Sequence, residues 1–432
     1  MVSGVQVRVV LSNVGSTGDV QPFLALAVEF QRHGHRPLLA LPSLFAERAA
    51  RLGLEFTPIG PPLTVTDAQR IMAAMLSAAT PMGQMRHFLA ATMPWIPQMY
   101  QELRQACRDA DVLVAGVTQP AARMLHETEG IPFVSVPFTP FAVPTGYRLP
   151  AGLPALPPSW RLARRLNRAA WQLILAPMRW ATAPIINRYR VQLGLPPAPD
   201  PLLGDVEVAD LALFAVSRHV VRPEPDWPPR YHLTGYFFLD ADEGWRPDPE
   251  LLEFLAAGPP PVVVTFGSML PGDPRRLTAV VLEALERVGC RAIIQQGWGG
   301  LATGPLPPSV RAVGFVPHAW LFPHAACVVH HGGAGTTAAV FRAGVPAVVV
   351  PFIADQFAWA TTARELGCAG RPVYYRWLTP ERLARAIAQT LATPRYARSA
   401  TRLGEQIRAE DGVGTARRLL EALVASRLAA RA

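Results

Sequence analysis

The sequence contains no lysine: all 41 basic residues, against 32 acidic ones, are arginines. It has only four cysteines, Cys107, Cys290, Cys327 and Cys368, and no CxxC or Cys/His pattern, which argues against a disulfide framework or a zinc site. No apolar run reaches the roughly 18 residues that span a bilayer. Residues 1–10 lack the basic start and cleavage site of a signal peptide and indicate a first strand. We therefore expect reduced thiols and a cytoplasmic location.

The chain is long enough and hydrophobic enough to form large buried cores. It contains 432 residues, of which 50% are hydrophobic and 17% charged, so two folded domains of about 200 residues each are expected. The net charge of +9 suits an anionic partner, whether nucleic acid, an acidic membrane or a phosphorylated ligand. No basic stripe interleaved with aromatic residues is present, so we expect no nucleic-acid partner.

Short buried strands alternate with amphipathic helices along much of the chain. Val5–Leu11 is apolar, turn residues follow, and a helix is predicted from about Val20 to His33. This rhythm predicts α/β domains with doubly wound, parallel sheets. The expected division is a first Rossmann-like domain over 1–220, a proline-rich linker over 221–248, a second Rossmann-like domain over 249–410, and a last helix over 411–432 that packs back on the first domain. Ligands of such sheets bind at the carboxyl ends of the strands, so a cleft between the domains is expected.

The segment 328–337, Val-Val-His-His-Gly-Gly-Ala-Gly-Thr-Thr, is the strongest chemical signal in the sequence. A buried strand runs into glycines and then into a helix, whose free N–H groups favour a phosphate. His331 and a threonine hydroxyl could donate to the same anion. A glycine-rich turn without a ligand is the alternative. The segment is neither a GxGxxG fingerprint nor a P-loop, so NAD and ATP are disfavoured.

Further along, Asp355 and Gln356 follow the apolar segment 347–351. A carboxylate and an amide side by side can bind the neighbouring hydroxyls of a sugar. A helix-capping Asp beside a surface Gln is an equally good interpretation of these two residues alone.

Four segments together resemble a known family: 313–323 (Val-Gly-Phe-Val-Pro-His-Ala-Trp-Leu-Phe-Pro), followed by the glycine-rich segment; 15–23 (Gly-Ser-Thr-Gly-Asp-Val-Gln-Pro-Phe); 234–237; and 265–269. They are similar to the motifs of GT-B-fold, family-1-type glycosyltransferases, in particular the sterol 3-β-glucosyltransferases and the antibiotic- or macrolide-aglycone glycosyltransferases. The resemblance implies a GT-B fold of two Rossmann-like domains. It also implies an inverting hexosyltransferase that takes a UDP- or dTDP-sugar, and it does not decide between these two nucleotides.

The resemblance also implies roles for individual residues. The diphosphate would be held by the glycine-rich segment, and the sugar by the pair that follows it. The donor-binding residues implied are Ser268, Phe315, Val316, His318, His331, Gly332, Gly333, Gly335, Thr336, Asp355 and Gln356. Phe315 or Val316 would lie against the nucleobase, with His318 nearby, and Ser268 would lie near the phosphates. Gly15, Ser16, Thr17 and Gly18 would support the first loop.

One departure from the family concerns the base. Plant members use a His in the first loop and an Asp after a later strand, but this first loop has no His and the later loop 115–119 has no Asp. Asp19 is the remaining carboxylate and the predicted general base. The alternative is that Asp19 only caps the helix that follows.

No metal or other cofactor is expected. Two DxD strings, 109–111 and 240–242, could in principle bind Mg²⁺ through a diphosphate, but their positions indicate solvated turns. A helix N-terminus can neutralise the phosphates without a cation.

Methionine-rich helical segments and aromatic residues in the first half suggest an apolar acceptor pocket, although core packing explains the methionines more simply. The acceptor-pocket candidates are Met85, Trp95, Phe138, Phe141 and Trp171. We expect a bulky apolar alcohol, either sterol-like, polyketide or lipid, as acceptor.

The arginine-rich segment 160–168 could touch an anionic membrane, but a solvated basic face is the preferred interpretation, so at most weak peripheral contact is expected. Two other functions use a similar fold. A GT-B-like nucleotide-sugar epimerase needs no acceptor pocket, and a catalytically silent glycosyltransferase partner would be expected to lose donor residues.

Overall fold

The structure, a computed structural model, describes residues 6–78, 81–150, 153–240, 245–267, 269, 273–297, 301–302 and 304–430, without the side chains of residues 65, 68, 72, 76, 81, 82, 84, 85 and 88. Contacts divide the chain into two units. The first comprises Met1–Ala68, Met85–Leu239 and Asp411–Ala432, and the second comprises Gln69–Gln84 and Asp240–Glu410.

The strands, in chain order, are β1 (Arg8–Ser12), β2 (Arg36–Leu41), β3 (Glu55–Pro58), β4 (Val112–Ala115), β5 (Phe133–Ser135), β6 (Leu211–Phe214), β7 (Tyr231–Leu233), β8 (Val262–Thr265), β9 (Ala292–Gln295), β10 (Val310–Val313), β11 (Cys327–His330) and β12 (Ala347–Val349). The helices are α1 (Thr17–Arg32), α2 (Ala46–Arg51), α3 (Val65–Ser77), α4 (Pro81–Thr92), α5 (Ile96–Ala106), α6 (Pro120–Glu129), α7 (Arg161–Gln192), α8 (Asp205–Val208), α9 (Pro249–Ala256), α10 (Pro274–Val288), α11 (His318–Leu321), α12 (Ala334–Ala343), α13 (Gln356–Glu365), α14 (Pro380–Leu391), α15 (Pro394–Arg408) and α16 (Gly412–Ala429).

The first unit is built on a seven-stranded sheet of order β3-β2-β1-β4-β5-β6-β7 whose paired strands are all parallel. All five residues of β1 are buried, because helices cover both faces of a parallel sheet. Val9 and Leu11 belong to one apolar cluster and Val10 to another on the opposite face. The sheet therefore holds the loop after β1 between two cores.

Helix α16 completes the first unit by packing on α1. Leu420 and Val424 enter the same core as β1, and Arg417 pairs with Glu29 at 3.1 Å. His35 accepts a bond from the Val7 amide and lies 2.8 Å from Glu421. The last helix is thus held by apolar burial and by ion pairs at its edge.

The second unit contains a five-stranded parallel sheet of order β10-β9-β8-β11-β12. The central strands β8, β9 and β11 are buried throughout, as their β-branched sequences indicate. The two parallel-sheet units confirm the predicted fold class.

Three boundaries differ from the sequence-based expectation. Residues 221–239, assigned to the linker by their prolines, lie in the first unit, because β7 pairs with β6 and Trp227 stacks on Phe214 at 5.0 Å. Residues 69–84 cluster with the second unit, and Met75 packs on its core. Helix α1 begins at Thr17 and not at Val20, since its first turn includes Asp19.

Candidate functional site

The glycine-rich segment forms the turn between β11 and α12. Gly332 has a φ of +87°, and a Cβ there would lie 2.9 Å from Val349 and 3.1 Å from the Gln356 carbonyl oxygen. A Cβ on Gly333 would lie 2.4 Å from His331 Nε2. Only glycine fits these two positions without displacing its neighbours. The imidazole of His331 is thereby held against the beginning of α12, at which no side chain caps the helix.

Three polar side-chain atoms around this turn are buried and have no hydrogen-bond partner among the described residues: His330 Nε2, His331 Nδ1 and Thr337 Oγ1. His330 Nδ1 accepts from the Gly332 amide at 3.1 Å, so its proton is on Nε2. Buried polar atoms are rarely left unpaired, so these three mark a place where a polar ligand or water fits. Thr336, the threonine implied by the resemblance, is half-buried, and Gly335 is exposed.

Burial keeps the histidines of this region neutral. Burial is the main cause that lowers the pKa of His331 to about 4, with a smaller contribution from His318, and the pKa of His330 to about 3, with smaller contributions from His331 and His318. Burial likewise lowers the pKa of His318 to about 4. These side chains therefore act as neutral hydrogen-bonding groups at physiological pH.

Beside the turn, Gln295 organises the segment after β10. Its Nε2 donates to the Val316 carbonyl oxygen at 2.7 Å, and its Oε1 lies 3.0 Å from His318 Nε2, which carries the proton. His318 also stacks on Phe322, with ring centroids 4.3 Å apart. Val316 is buried, whereas the Phe315 ring is 64% exposed and free to stack on a planar ligand. Gln295 was missed by the motif comparison, although a polar residue ending a buried strand was a signal for it.

Asp355 and Gln356 lie at the beginning of α13. Gln356 is buried, and its Oε1 accepts from the Phe352 and Ile353 amides at 2.9 and 3.2 Å. Its Nε2 contacts Met269 Sδ at 3.6 Å, and its backbone adjoins Gly332. Asp355 is half-buried and accepts from Trp359 Nε1 at 3.0 Å. The fold therefore brings both next to the glycine-rich turn, while Gln356 Oε1 also braces its own loop.

Ser268 lies outside the described residues. Its neighbour Gly267 follows β8, and a Cβ on Gly267 would lie 3.3 Å from His331 Cε1. Gly297, after β9, approaches Gly267 so closely that a Cβ would meet its carbonyl oxygen at 2.2 Å. The carboxyl ends of β8, β9 and β11 thus meet around His331, as parallel strands require.

In the first unit, Asp19 occupies the first turn of α1. Its Oδ2 accepts from the Ser16 amide at 2.7 Å and from the Ser16 hydroxyl at 2.9 Å. Burial raises the pKa of Asp19 above its ordinary value, although the bonds from Ser16 oppose this. Of the other first-loop residues, Gly15 adjoins this carboxylate, whereas Thr17 and Gly18 belong to the first turn of α1 and Gly18 is exposed. Asp19 thus pairs within the helix start and has a raised proton affinity, which suits a base as well as a cap.

Hydrogen bonds that reach the segment after β4 support the loop between β1 and α1. Asn13 Nδ2 donates to the Asp19 carbonyl oxygen at 2.8 Å, and Asn13 Oδ1 accepts from the Thr118 hydroxyl at 2.7 Å. A Cβ on Gly116 would lie 2.4 Å from Asn13 Oδ1. Asn13 and Thr118 were not found from the sequence, because they are 105 residues apart and meet only across the sheet.

The acceptor-pocket candidates are divided by the structure. Trp95, Phe138 and Phe141 are half-buried, and Phe138 meets Phe23 edge-on at 6.0 Å. Trp171 is 1% exposed and donates to the Arg148 carbonyl oxygen at 2.8 Å, so it is a core residue with no face for a ligand. The side chain of Met85 lies outside the described part of the chain.

The DxD strings have other partners where they are described. Asp111 accepts from the Arg8 amide at 2.7 Å, Asp109 lies 3.7 Å from Arg8 Nε, and Asp240 pairs with Arg342. Asp242 is outside the described residues. Within the described residues, no group of three or more His, Cys, Asp or Glu side chains is arranged to hold a metal ion. In the same part of the chain, no helix is both long and apolar enough to cross a bilayer.

Comparison with known proteins agrees with this geometry. Residues 9–144 match the glycosyltransferase family 28 N-terminal domain, and residues 279–417 match the C-terminal domain of erythromycin biosynthesis protein CIII-like proteins. The O-mycaminosyltylonolide 6-deoxyallosyltransferase of Streptomyces fradiae is 34% identical over 429 residues, which cover 96% of this chain and 97% of that protein. The chain belongs to the glycosyltransferase family of this 6-deoxyallosyltransferase.

Other glycosyltransferases show the same relationship. A sterol 3-β-glucosyltransferase of Arabidopsis thaliana is 31% identical over 95% of this chain and 67% of its own length. Sterol 3-β-glucosyltransferases of Emericella nidulans and Neosartorya fischeri are longer, and this chain spans 29% of each. The crystal structure of the glycotransferase of kitacinnamycin superposes with a TM-score of 0.71 at 26% identity, covering 98% of this chain and all of that one. The GT-B fold and the resemblance stated from the motifs are confirmed.

Proposed function

We propose that this glycosyltransferase moves a hexose from a UDP- or dTDP-sugar to a hydroxyl of a large apolar acceptor, with inversion and without a metal. The observation that carries the proposal is the beginning of α12, which no side chain caps and where His331 Nδ1 and Thr337 Oγ1 are buried without a hydrogen-bond partner among the described residues. The first N–H groups of a helix have no partner within the helix and are available to an anion. Neutral donors and a helix dipole suit a diphosphate leaving group, whose charge grows as the glycosidic bond breaks.

The nucleobase and the sugar of the donor would be bound by residues near the glycine-rich turn. Phe315, exposed and aromatic, can stack on the nucleobase, and Asp355 can bind sugar hydroxyls. Gln356 already uses Oε1 on the backbone and one N–H of Nε2 on Met269 Sδ, so only its second N–H is offered to the sugar. His331, Gly333 and Thr336 would hold the diphosphate.

Asp19 is proposed as the general base. It must take the acceptor's proton as the new bond forms, and burial, which raises its pKa, makes it a better base than an exposed carboxylate. His33 and His35 are poorer candidates, because His33 Nδ1 bonds the Glu29 carbonyl oxygen and His35 uses both ring nitrogens. A single displacement with this base gives a β-linked product from an α-linked donor.

The proposed acceptor is sterol-like, polyketide or lipid. One relative named above is a sterol glucosyltransferase, and another is a transferase whose name specifies a tylonolide derivative. The acceptors that these two names specify are bulky apolar alcohols. The half-buried aromatics Trp95, Phe138 and Phe141 are the side chains of this chain that would contact such an acceptor.

Donor binding and chemistry are tested separately. Thermal shift with UDP-, dTDP- and GDP-sugars, with and without EDTA, should give an EDTA-insensitive stabilisation by one of the first two. Loss of the shift on chelation would contradict metal-free binding. Donor incubated alone should yield no isomeric product, since an isomer would indicate an epimerase.

Asp19→Asn tests the base. The amide oxygen of Asn can still accept from the Ser16 amide, so the fold should persist while transfer falls by roughly two to four orders of magnitude and donor binding remains. Asp273→Asn is the matched control, since Asp273 caps α10 by accepting from two backbone amides. Near-normal turnover by a folded Asp19→Asn variant would show that Asp19 is not the general base.

A further inference from the structure

Helix α7 carries a surface that the transfer chemistry does not use. Its 32 residues include seven arginines and neither Asp nor Glu. The face that packs on the protein contains Ala163, Asn167 and Trp171, all buried. The opposite face is therefore directed outward along the whole helix.

That outward face is apolar. We define the α7 stripe as the exposed residues Leu162, Leu166, Leu173, Trp180 and Val191, which are 64, 48, 77, 78 and 58% exposed. At 3.6 residues per turn and 1.5 Å per residue, they form one row about 40 Å long. Several large apolar side chains exposed on one face of a helix cost solvation free energy, so such a row marks an interaction surface.

Charge beside the stripe indicates what covers it. Arg168, Arg179 and Arg190 pair with Asp226, Asp200 and Glu127. Arg161, Arg165 and Arg188 have no carboxylate partner among the described residues and flank the stripe on its two sides. An apolar row with Leu and Trp, bordered by unneutralised arginines, is the pattern of a helix that lies in the plane of an anionic bilayer.

We propose that the α7 stripe binds the surface of anionic phospholipid membranes, with Leu173 and Trp180 inserted among the acyl chains near the headgroups and Arg161 and Arg165 against the phosphates. The inference is independent of the donor, the base and the acceptor. It extends the weak contact expected from 160–168 along the helix, because no part of the described chain covers the side chains of Leu173, Trp180 and Val191.

Flotation of the full chain with vesicles tests the proposal. The protein should float with phosphatidylcholine vesicles that contain phosphatidylserine, but not with phosphatidylcholine alone, and high salt should weaken the binding. Leu173→Glu with Trp180→Glu should abolish flotation, and both sites are exposed enough for the fold to persist. Leu252→Glu with Leu428→Glu, which alters leucines 45 and 42% exposed on other helices, should bind as the unaltered protein does.

A second variant tests the charge separately. Arg161→Gln with Arg165→Gln should weaken binding to the anionic vesicles roughly 25-fold, at about fivefold for each arginine. Absence of flotation by the unaltered protein, or equal flotation by the Leu173/Trp180 variant, would overturn the proposal. So would a dimer in size-exclusion chromatography that the same variant dissociates, since a second copy would then cover the stripe.

Discussion

Gly15 leaves the space that the carboxylate of Asp19 occupies. A Cβ built on Gly15 would lie 2.4 Å from Asp19 Oδ2, and the φ of Gly15 is +152°. A carbon and an oxygen that are not bonded cannot approach so closely. The position of the proposed base therefore depends on the absence of a side chain four residues earlier.

Gly15→Ala should lower the rate of transfer at least about tenfold, because the added methyl must displace the proposed base from its geometry. Donor binding to the second unit should persist. Gly18→Ala is the matched control: a Cβ there would be 3.8 Å from Ser16 Oγ, an ordinary contact. Initial rates and donor-induced thermal shifts for both variants provide the measurement, and equal rates would contradict a need for this carboxylate geometry.

The pH dependence of kcat/KM should report the carboxylate of Asp19. A base is active when unprotonated, so activity should rise with pH through a pKa above the ordinary value of about 3.9 for Asp, as burial dictates. Ser16→Ala removes the hydroxyl that stabilises the charged form from 2.9 Å. The acid limb should then move to higher pH. A limb that stays in place in Ser16→Ala would assign it to another group.

Gly333→Ala should abolish donor binding while the fold is retained. Its Cβ would lie 2.4 Å from His331 Nε2 and would push the imidazole away from the beginning of α12. Gly314→Ala is the control from the same unit, since no atom of the described structure lies within 4 Å of its Cβ. Thermal shift with the preferred nucleotide sugar compares them. Unchanged stabilisation of Gly333→Ala would place the diphosphate elsewhere.

The buried histidines should make the fold sensitive to acid. The unfolded chain protonates His330 near pH 6.5, whereas the folded chain resists protonation until about pH 3, so the unfolded state binds more protons between these values. Stability is then fully present above pH 6.5 and falls as the pH decreases. In His330→Asn, whose amide oxygen can still accept from Gly332, the decrease in Tm from pH 7 to pH 5 should be smaller. An identical decrease would show that His330 does not contribute.

The sequence by itself determined those features of the protein that depend on residues close together in the chain. The bounds of β2 and β11 match the apolar runs, because strands buried on both faces appear as continuous β-branched or aliphatic segments. The glycine-rich turn was equally visible, because its glycines are required by backbone geometry at that point of the chain. Together with the motif resemblance, these features were sufficient for the fold and the family.

Contacts between distant residues needed the tertiary structure. Asn13 meets Thr118, and Gln295 meets His318, only because neighbouring parallel strands end at the same edge. The two faces of α7 show most clearly that burial cannot be inferred from helical spacing alone. Its leucines at positions 162, 166 and 173 have helical spacing and would be assigned to a core, yet the face with Asn167 and Trp171 is the buried one. Asn167 can be buried because it bonds the carbonyl oxygens of Gly146 and Leu156, and no local pattern reveals such partners.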